Sequence, residues 1–287
     1  MYPQLLAVLF LGMVPAPTTL LSSSVFSIAI APPSEIVAID ERMSASGVVI
    51  LDAKSGQQVF ARQPTVRRPM ASLTKLMTAI LIVENHDLDE LVTITKDAEN
   101  VEGNRAYLKA GETFTVGDLL SALLIASAND AAEVLATYHS GSVPEFVAQM
   151  NIRAKTLGLP ATSFMNPAGL DHPRQWSTPR DIAWLSAFAM RHEEISKRMS
   201  KRGIHITSKE GTRVDLSHTH VLMHQRNAVT AGKTGTTDAA GQCLVSLVEE
   251  GNSSYVVVLM NSKQRYKDMA IILDALGPTL EVAKLEE

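Results

Sequence analysis

The spacing of apolar residues divides the chain into a strand-like start, a helical middle and a strand-like end. Residues 44–51 and 57–60 are apolar-rich runs on either side of Asp52-Ala53-Lys54-Ser55-Gly56, a turn-forming sequence, and predict a β-hairpin. Beyond Pro69 the period lengthens. Leu76, Ala79, Ile80 and Val83 recur at helical spacing, which predicts a helix ending near Asn85 with Ser72 in its first turn. A short strand is expected at 91–95 and a turn at Gly111-Glu112. Thr115 and Asp118 have capping-box spacing and open a helix to about Ala126, and further helices are expected at 130–139 and 144–157. Thr178-Pro179-Arg180-Asp181 combines a cap, a proline at the first helical position and an acidic partner, so 182–191 reads as helix, with a loop at 166–169 before it. Apolar runs then return at 242–248 and 254–260, joined by a hairpin turn at 249–252, and 267–276 closes with a helix. Strands at both ends with helices between them imply an α+β fold. Its first and last strands would come together in one antiparallel sheet, with a helical subdomain inserted.

Residues 1–31 stand apart. Residues 5–14 are nearly continuously apolar, and Ala29-Ile30-Ala31 offers a small-x-small site before Pro32-Pro33, the pattern of an export signal that lacks the usual basic residue near Met1. The apolar core is shorter than the roughly 20 residues that span a bilayer. Cleavage near Ala31 is therefore expected, giving an exported product, periplasmic or secreted, with no stable membrane span. A linker at 32–43, one domain at 44–276 and a short tail at 277–287 would follow. The 287 residues carry a net charge of −4 and no dense basic block; Arg67-Arg68 and Lys201-Arg202 read as solvated surface, which argues against a nucleic-acid partner. The single cysteine, Cys243, excludes an internal disulfide framework and reads as a buried strand thiol.

Three short motifs carry the candidate chemistry. Ser72 and Lys75 lie at i and i+3 of the predicted helix, on nearly the same face, near the unpaired amides and positive end of its first turn. A serine hydroxyl becomes a nucleophile when a neighbour takes its proton. Lysine, with an ordinary pKa near 10.4, does this at neutral pH only if burial and a second cation depress it, and Lys233 is the candidate cation. Ser127-Ala128-Asn129 has two readings. Asn129 is well placed as the N-cap of the next helix, with Ser127 and Asp130 at capping-box spacing. Alternatively, Ser127 relays a proton and Asn129 holds Lys75 and the substrate amide, both facing one cleft. Lys233-Thr234-Gly235-Thr236 is not a nucleotide-binding loop, because the position that would need glycine, five before Gly232, is Asn227. On a strand edge Lys233 and Thr234 would grip a substrate carboxylate and Gly235 would permit close approach. The backbone amides of Ser72 and Thr236 would then serve as oxyanion donors. The set describes acyl transfer by a serine without a histidine triad, and Asp171-His172 does not supply the rest of one. His218, His220 and His224 have spacing compatible with zinc, but no second motif supports a metal. They read as surface groups or as supports behind the site, and no cofactor or metal is expected.

With these motifs in this order, the chain resembles the low-molecular-mass penicillin-binding proteins. These are D-alanyl-D-alanine carboxypeptidases and endopeptidases of the serine β-lactamase/transpeptidase superfamily. The likeness runs from about 44 to 276 and includes ASLTKLMTA at 71–79, LIASANDAA at 124–132, FMNPAGL at 164–170, STPRDIA at 177–183 and GKTGTTDAAGQCL at 232–244. It implies a β-lactamase/transpeptidase-like fold, an antiparallel five-stranded sheet flanked by helices with a helical subdomain. It further implies Ser72 as acylated nucleophile, Lys75 as its base, Ser127 and Asn129 as the second motif, and Lys233, Thr234 and Gly235 as the third. Arg265 resembles the arginine that helps bind the terminal carboxylate. The implied partners are peptidoglycan peptides ending in D-Ala-D-Ala, with β-lactam antibiotics as acylating mimics. The chain's end soon after the catalytic domain leans towards endopeptidases, whereas Asn166-Pro167-x-Gly169-Leu170 leans towards carboxypeptidases. Carboxypeptidase is the reading adopted, with endopeptidase and a penicillin-binding sensor without turnover as alternatives. A β-lactamase is disfavoured, because Ser127-Ala128-Asn129 lacks the central aspartate and no glutamate matches the deacylating one. Arg265 is expected to act mainly on substrate capture, and of the two cations only Lys233 is expected to bias the proton equilibrium of Lys75 as well.

Overall fold

The computed structural model describes residues 40–277. The expected export signal, the linker up to residue 39 and the tail beyond Gly277 lie outside the described residues. In chain order the elements are β1 (Gly47–Asp52), β2 (Gln58–Arg62), α1 (Lys75–Asn85), β3 (Leu91–Thr93), α2 (Lys96–Glu99), β4 (Thr113–Thr115), α3 (Val116–Leu124), α4 (Asn129–Ser140), α5 (Val143–Thr156), α6 (Pro179–Met190), α7 (Glu193–Met199), β5 (Gly203–Thr207), β6 (Arg213–Ser217), β7 (Val229–Thr237), β8 (Gly241–Glu250), β9 (Ser253–Ser262) and α8 (Arg265–Leu276).

The five-stranded sheet has the order β2-β1-β9-β8-β7, and every neighbouring pair is antiparallel. The expected meeting of the two chain ends is the β1–β9 pairing, with Val49 opposite Val258. Side chains alternate faces along a strand, and the two cores follow that alternation. Val48, Ile50, Val257, Leu259, Leu244 and Val248 pack with Met269, Ile272 and Leu276 of α8. Val49, Leu51, Val256, Val258 and Met260 face the larger core, shared with α1, α3, α4 and α6. Helix α1 is buried from Lys75 to Ile82 and forms the axis of that core.

Local signals place most helix starts. Thr115 and Asp118 form the expected capping box, and Thr178 Oγ1 accepts from the Asp181 amide ahead of Pro179. Sequence periodicity missed the short elements β4, the β5–β6 pair, α2 and α7, and also β7, which only the Lys233 motif suggested as a strand. Strands β5 and β6 each bury one residue, Ile206 and Leu216, so neither carries a legible alternation.

One carboxylate ties the ends of the domain together. Asp268, in the first turn of α8 and 2% exposed, accepts from the Ser44 amide (2.7 Å), the Ser44 hydroxyl (2.8 Å) and the Ser262 hydroxyl (2.5 Å). Asp268→Ala should lower the free energy of unfolding by on the order of 3 kcal/mol, because buried donors lose their acceptor. Asp268→Asn, which keeps one acceptor oxygen, should cost less, and urea unfolding of both variants checks the order.

Candidate active site

Ser72 lies in a 3₁₀ turn, Ala71–Thr74, that runs directly into α1. Lys75 is the first residue of α1 and is fully buried. Its Nζ lies 2.8 Å from Ser72 Oγ, 2.7 Å from Asn129 Oδ1 and 2.6 Å from the Ala168 carbonyl oxygen. A neutral amine has two hydrogens and one lone pair. Asn129 Oδ1 and Ala168 O accept the two hydrogens, which leaves the lone pair for the Ser72 hydroxyl.

The capping reading of the second motif is overturned. Ala128 holds the N-cap position of α4 with no side-chain cap bond, and Asn129 is the first helical residue. The Asn129 side chain turns to Lys75 and donates from Nδ2 to the Glu102 carbonyl. Asp130 does not close a box with Ser127 either; its carboxylate accepts from the amides of Ala106, Leu108 and Ala131. Ser127 sits at φ +59°, a left-handed conformation uncommon for a side-chain-bearing residue. Asn104 clamps it from outside, donating from Nδ2 to the Ala126 and Ser127 carbonyls while its own carbonyl accepts from the Asn129 amide. This places Ser127 Oγ 2.5 Å from Lys233 Nζ.

Lys233 and Thr234 lie on β7, the edge strand, and both are buried. A Cβ built on Gly235 would lie 2.8 Å from the Ser72 amide nitrogen and 2.9 Å from Ala71 Cβ, so the strand passes directly against the Ser72 turn. From another direction Gly169, at φ +95°, presses on the same peptide, where a Cβ would fall 2.0 Å from the Ala71 carbonyl oxygen. The Ala71–Ser72 peptide is therefore packed by two glycines, and Ala71 itself has φ +48°. Thr236, whose amide is the other expected oxyanion donor, follows Gly235 on the same strand.

Arg265, at the start of α8, donates from Nη1 to the Gly235 carbonyl (2.9 Å), Thr236 Oγ1 (2.8 Å) and the Cys243 carbonyl (3.3 Å). It is thus built into β7 and β8, and its charge reaches Lys233. Burial, and then the Arg265 charge, hold Lys233 down at about 7. Burial first, and then the Lys233 charge, hold Lys75 well below the ordinary lysine range, with Asp130 opposing them. Arg265 thus bears on Lys233, while the charges that act on Lys75 are those of Lys233 and Asp130.

Several contributors escaped the sequence motifs. Thr219 Oγ1 lies 2.6 Å from Thr234 Oγ1, and its amide donates to the Ile125 carbonyl two residues before Ser127. The loop that supplies Ala168 O is shaped by Asn166, whose Oδ1 accepts from the amides of Ala168, Gly169 and Leu170. It is pinned to α1 by Thr78 Oγ1, which donates to the Pro167 carbonyl. Asn166-Pro167-Ala168-Gly169 was legible as a loop, but not as a partner of Lys75. His218 and His220 are not surface groups: both are buried behind β7. His220 packs against Gly232, with Nε2 2.8 Å from Ser246 Oγ, and burial pushes His218 to about 4 and His220 to about 3. His224 Nε2 bonds the His218 carbonyl. No group of three His, Cys, Asp or Glu residues arranged for a metal occurs among the described residues. Cys243 is buried on β8, and burial raises its thiol to about 11.

The chain belongs to the peptidase S11 family, D-alanyl-D-alanine carboxypeptidase, which it matches over residues 34–264. It is 31% identical over 238 residues to D-alanyl-D-alanine carboxypeptidase DacF of Bacillus subtilis, an alignment covering 80% of this chain and 61% of the relative. It is also 28% identical to the D-alanyl-D-alanine endopeptidase of Escherichia coli, covering 79% of this chain and 74% of that one. Among solved structures, the Streptomyces K15 DD-transpeptidase superposes with a TM-score of 0.77 at 26% identity, covering 81% of this chain and 97% of that one. The α+β fold is that of the β-lactamase/transpeptidase superfamily. The chain spans about three-fifths of the length of DacF and of two further carboxypeptidase relatives.

Gly169→Ala should slow modification of Ser72 by a labelled penicillin 10²-fold or more, because the added methyl displaces the Ser72 turn and a shift of about 1 Å has that effect. Gly111→Ala is the control, having a similar φ of +89° with nothing within 4 Å of the added methyl. It should cost only about 1–2 kcal/mol of stability and leave the labelling rate near that of the parent protein.

Proposed function

We propose that this chain is a serine-type D-alanyl-D-alanine carboxypeptidase that trims peptidoglycan stem peptides through a covalent acyl-enzyme. The observation that carries the reading is the fully buried Lys75 amine, 2.8 Å from Ser72 Oγ, with its other contacts taken by Asn129 Oδ1 and Ala168 O. In the proposed reaction neutral Lys75 accepts the hydroxyl proton as Ser72 Oγ attacks the carbonyl carbon of the penultimate D-alanine. The Ser72 and Thr236 amides receive the negative oxygen. Ser127, bonded to Lys233, passes its proton to the leaving amine and takes the one now on Lys75, and the bond to the terminal D-alanine breaks. Lys233 and Thr234 hold the terminal carboxylate, Arg265 adds positive potential, and Gly235 allows the strand's close approach. Water then attacks the acyl-enzyme, with Lys75 and Ser127 returning the proton to Ser72. β-Lactams acylate the same oxygen. Such a substrate lies outside the cytoplasmic membrane, in keeping with the export reading of residues 1–31 and the expected periplasmic or secreted location. Among the described residues no helix is long and apolar enough to cross a membrane.

The family likeness supports cleavage at D-Ala-D-Ala-type bonds. The Asn166-Pro167-Ala168-Gly169-Leu170 loop favours carboxypeptidase action, whereas similarity to D-alanyl-D-alanine endopeptidases favours cleavage of cross-links as the second reading. Labelled penicillin should leave one adduct, on the peptide containing Ser72, and none in Ser72→Ala. Incubation with a pentapeptide should release D-alanine, while a cross-linked dimer should be cleaved more slowly. Cleaved monomers from the dimer without free D-alanine from the pentapeptide would replace the first reading with the second. Acylation without turnover of either would leave a sensor.

The buried lysines determine the expected pH dependence. The second-order rate of acylation should rise with pH as Lys75 loses its proton, with a limb well below the ordinary lysine value, and fall as Lys233 deprotonates above about 7. Arg265→Ala should move the falling limb to higher pH, because a cation that disfavoured charged Lys233 is gone. Lys233→Ala should remove the falling limb and move the rising limb upward. Lys75→Arg should lose at least 10²-fold in acylation, since guanidinium stays protonated. Acylation rates across pH in the three variants test these assignments, and near-parent acylation in Lys75→Arg excludes Lys75 as the base.

A further inference from the structure

Between β6 and β7 the chain bends at residues 218–221, and main-chain bonds pin that bend from several sides. The His218 amide donates to the Arg202 carbonyl (2.9 Å), and the Thr219 amide to the Ile125 carbonyl (3.2 Å) at the end of α3. The Tyr266 hydroxyl donates to the Thr219 carbonyl (3.2 Å) and accepts from the Val221 amide (3.1 Å). Tyr266 follows Arg265 in the first turn of α8, so that one turn reaches both this bend and Thr236. His220, bonded to Ser246, packs against Gly232 two residues before Thr234. None of these bonds uses the Thr219 side chain. Among the described residues its hydroxyl meets one partner, Thr234 Oγ1, at 2.6 Å.

Each hydroxyl has one hydrogen to donate and lone pairs to accept with. The contact between the two threonines uses one of their two hydrogens and leaves the other over. If Thr234 donates to Thr219, it has no hydrogen for an anionic ligand. If Thr219 donates, Thr234 accepts, and its own hydrogen remains for the carboxylate that Lys233 and Thr234 are proposed to hold. An anion beside Thr234 makes the second arrangement the stable one, because a hydroxyl that already accepts a bond is polarised into a better donor. Since the bend is held through main-chain atoms, the Thr219 oxygen is in place before a ligand arrives.

We propose that Thr219 is a positioning residue for carboxylate capture: its hydroxyl donates to Thr234 Oγ1 and so commits the Thr234 hydrogen to the substrate's terminal carboxylate. The proposal rests on the reading of Lys233 and Thr234 as the carboxylate grip. Its test compares acylation of Ser72 by a labelled penicillin, which carries a carboxylate, with acylation by the methyl ester of the same compound. The acid-to-ester rate ratio then isolates capture of the charge. Thr219→Val keeps the shape and the main-chain bonds but removes the hydroxyl. It should lower the ratio roughly three- to tenfold, the worth of one neutral hydrogen bond. Thr219→Ser, which keeps the hydroxyl, should hold the ratio near the parent value. In a Thr234→Val background nothing remains to orient, so adding Thr219→Val should lower the ratio no further. An unchanged ratio in Thr219→Val, a loss that Thr219→Ser shares, or full additivity of the two valine substitutions would overturn the role. Equal acylation by acid and ester in the parent protein would overturn the carboxylate grip and this role with it. Failure of the parent protein to release D-alanine from a pentapeptide, with the ratios behaving as expected, would instead overturn the carboxypeptidase reading alone.

Discussion

The site depends on keeping one amine out of water beside a serine. Removing an ammonium from water costs several kcal/mol even after relaxation, and a protein usually offsets that with a carboxylate in contact. Here the contacts of Lys75 Nζ are uncharged oxygens from Ser72, Asn129 and Ala168. The nearby carboxylate, Asp130, is occupied by three backbone amides. A second buried cation, Lys233, adds to the effect. Each choice favours the neutral amine, and a carboxylate against Nζ would restore its charge and remove the proposed base.

Holding that amine in place requires backbone conformations that local preference disfavours. Ala71 and Ser127 both have positive φ, at +48° and +59°, costing about 1–2 kcal/mol each for residues with a Cβ. They persist because the surroundings leave no alternative. Gly169 and Gly235 close on the peptide after Ala71, and Asn104 holds the Ala126 and Ser127 carbonyls, before and after the Ser127 Cα. Strain and glycine are thus complementary here. The glycines make room for a turn that a methyl group would displace.

The sheet contributes by its order. Because β7 is an edge strand, one of its flanks faces the Ser72 turn while β8 holds the other. Arg265 bridges β7 and β8 from the start of α8, so one guanidinium both fixes the strand and sets the charge environment of Lys233. Behind the strand, His220 fills the space that the absent side chain of Gly232 leaves, and Thr219 next to it meets Thr234. Packing and proton chemistry are coupled through the same residues.

Sequence alone determined the features that depend on nearest neighbours. The β1–β2 hairpin, the capped starts of α3 and α6, and the sharing of one face by Ser72 and Lys75 all follow from short-range spacing and turn chemistry. The ordered motifs also pointed to which serine and lysines belong together. Tertiary structure decided between the two readings of Ser127-Ala128-Asn129, since capping and cleft-facing roles use the same residue types and only the partners, Lys75 and Lys233, distinguish them. It also decided that His218 and His220 are buried, that Ala168 contributes a carbonyl and Thr219 a hydroxyl, and that Arg265 acts on Lys233. Backbone carbonyls leave no trace in residue identity, and burial of a polar side chain depends on what the rest of the chain brings against it. Those contacts join positions as far apart as Lys75 and Ala168, or Ser127 and Lys233, and no local pattern encodes them.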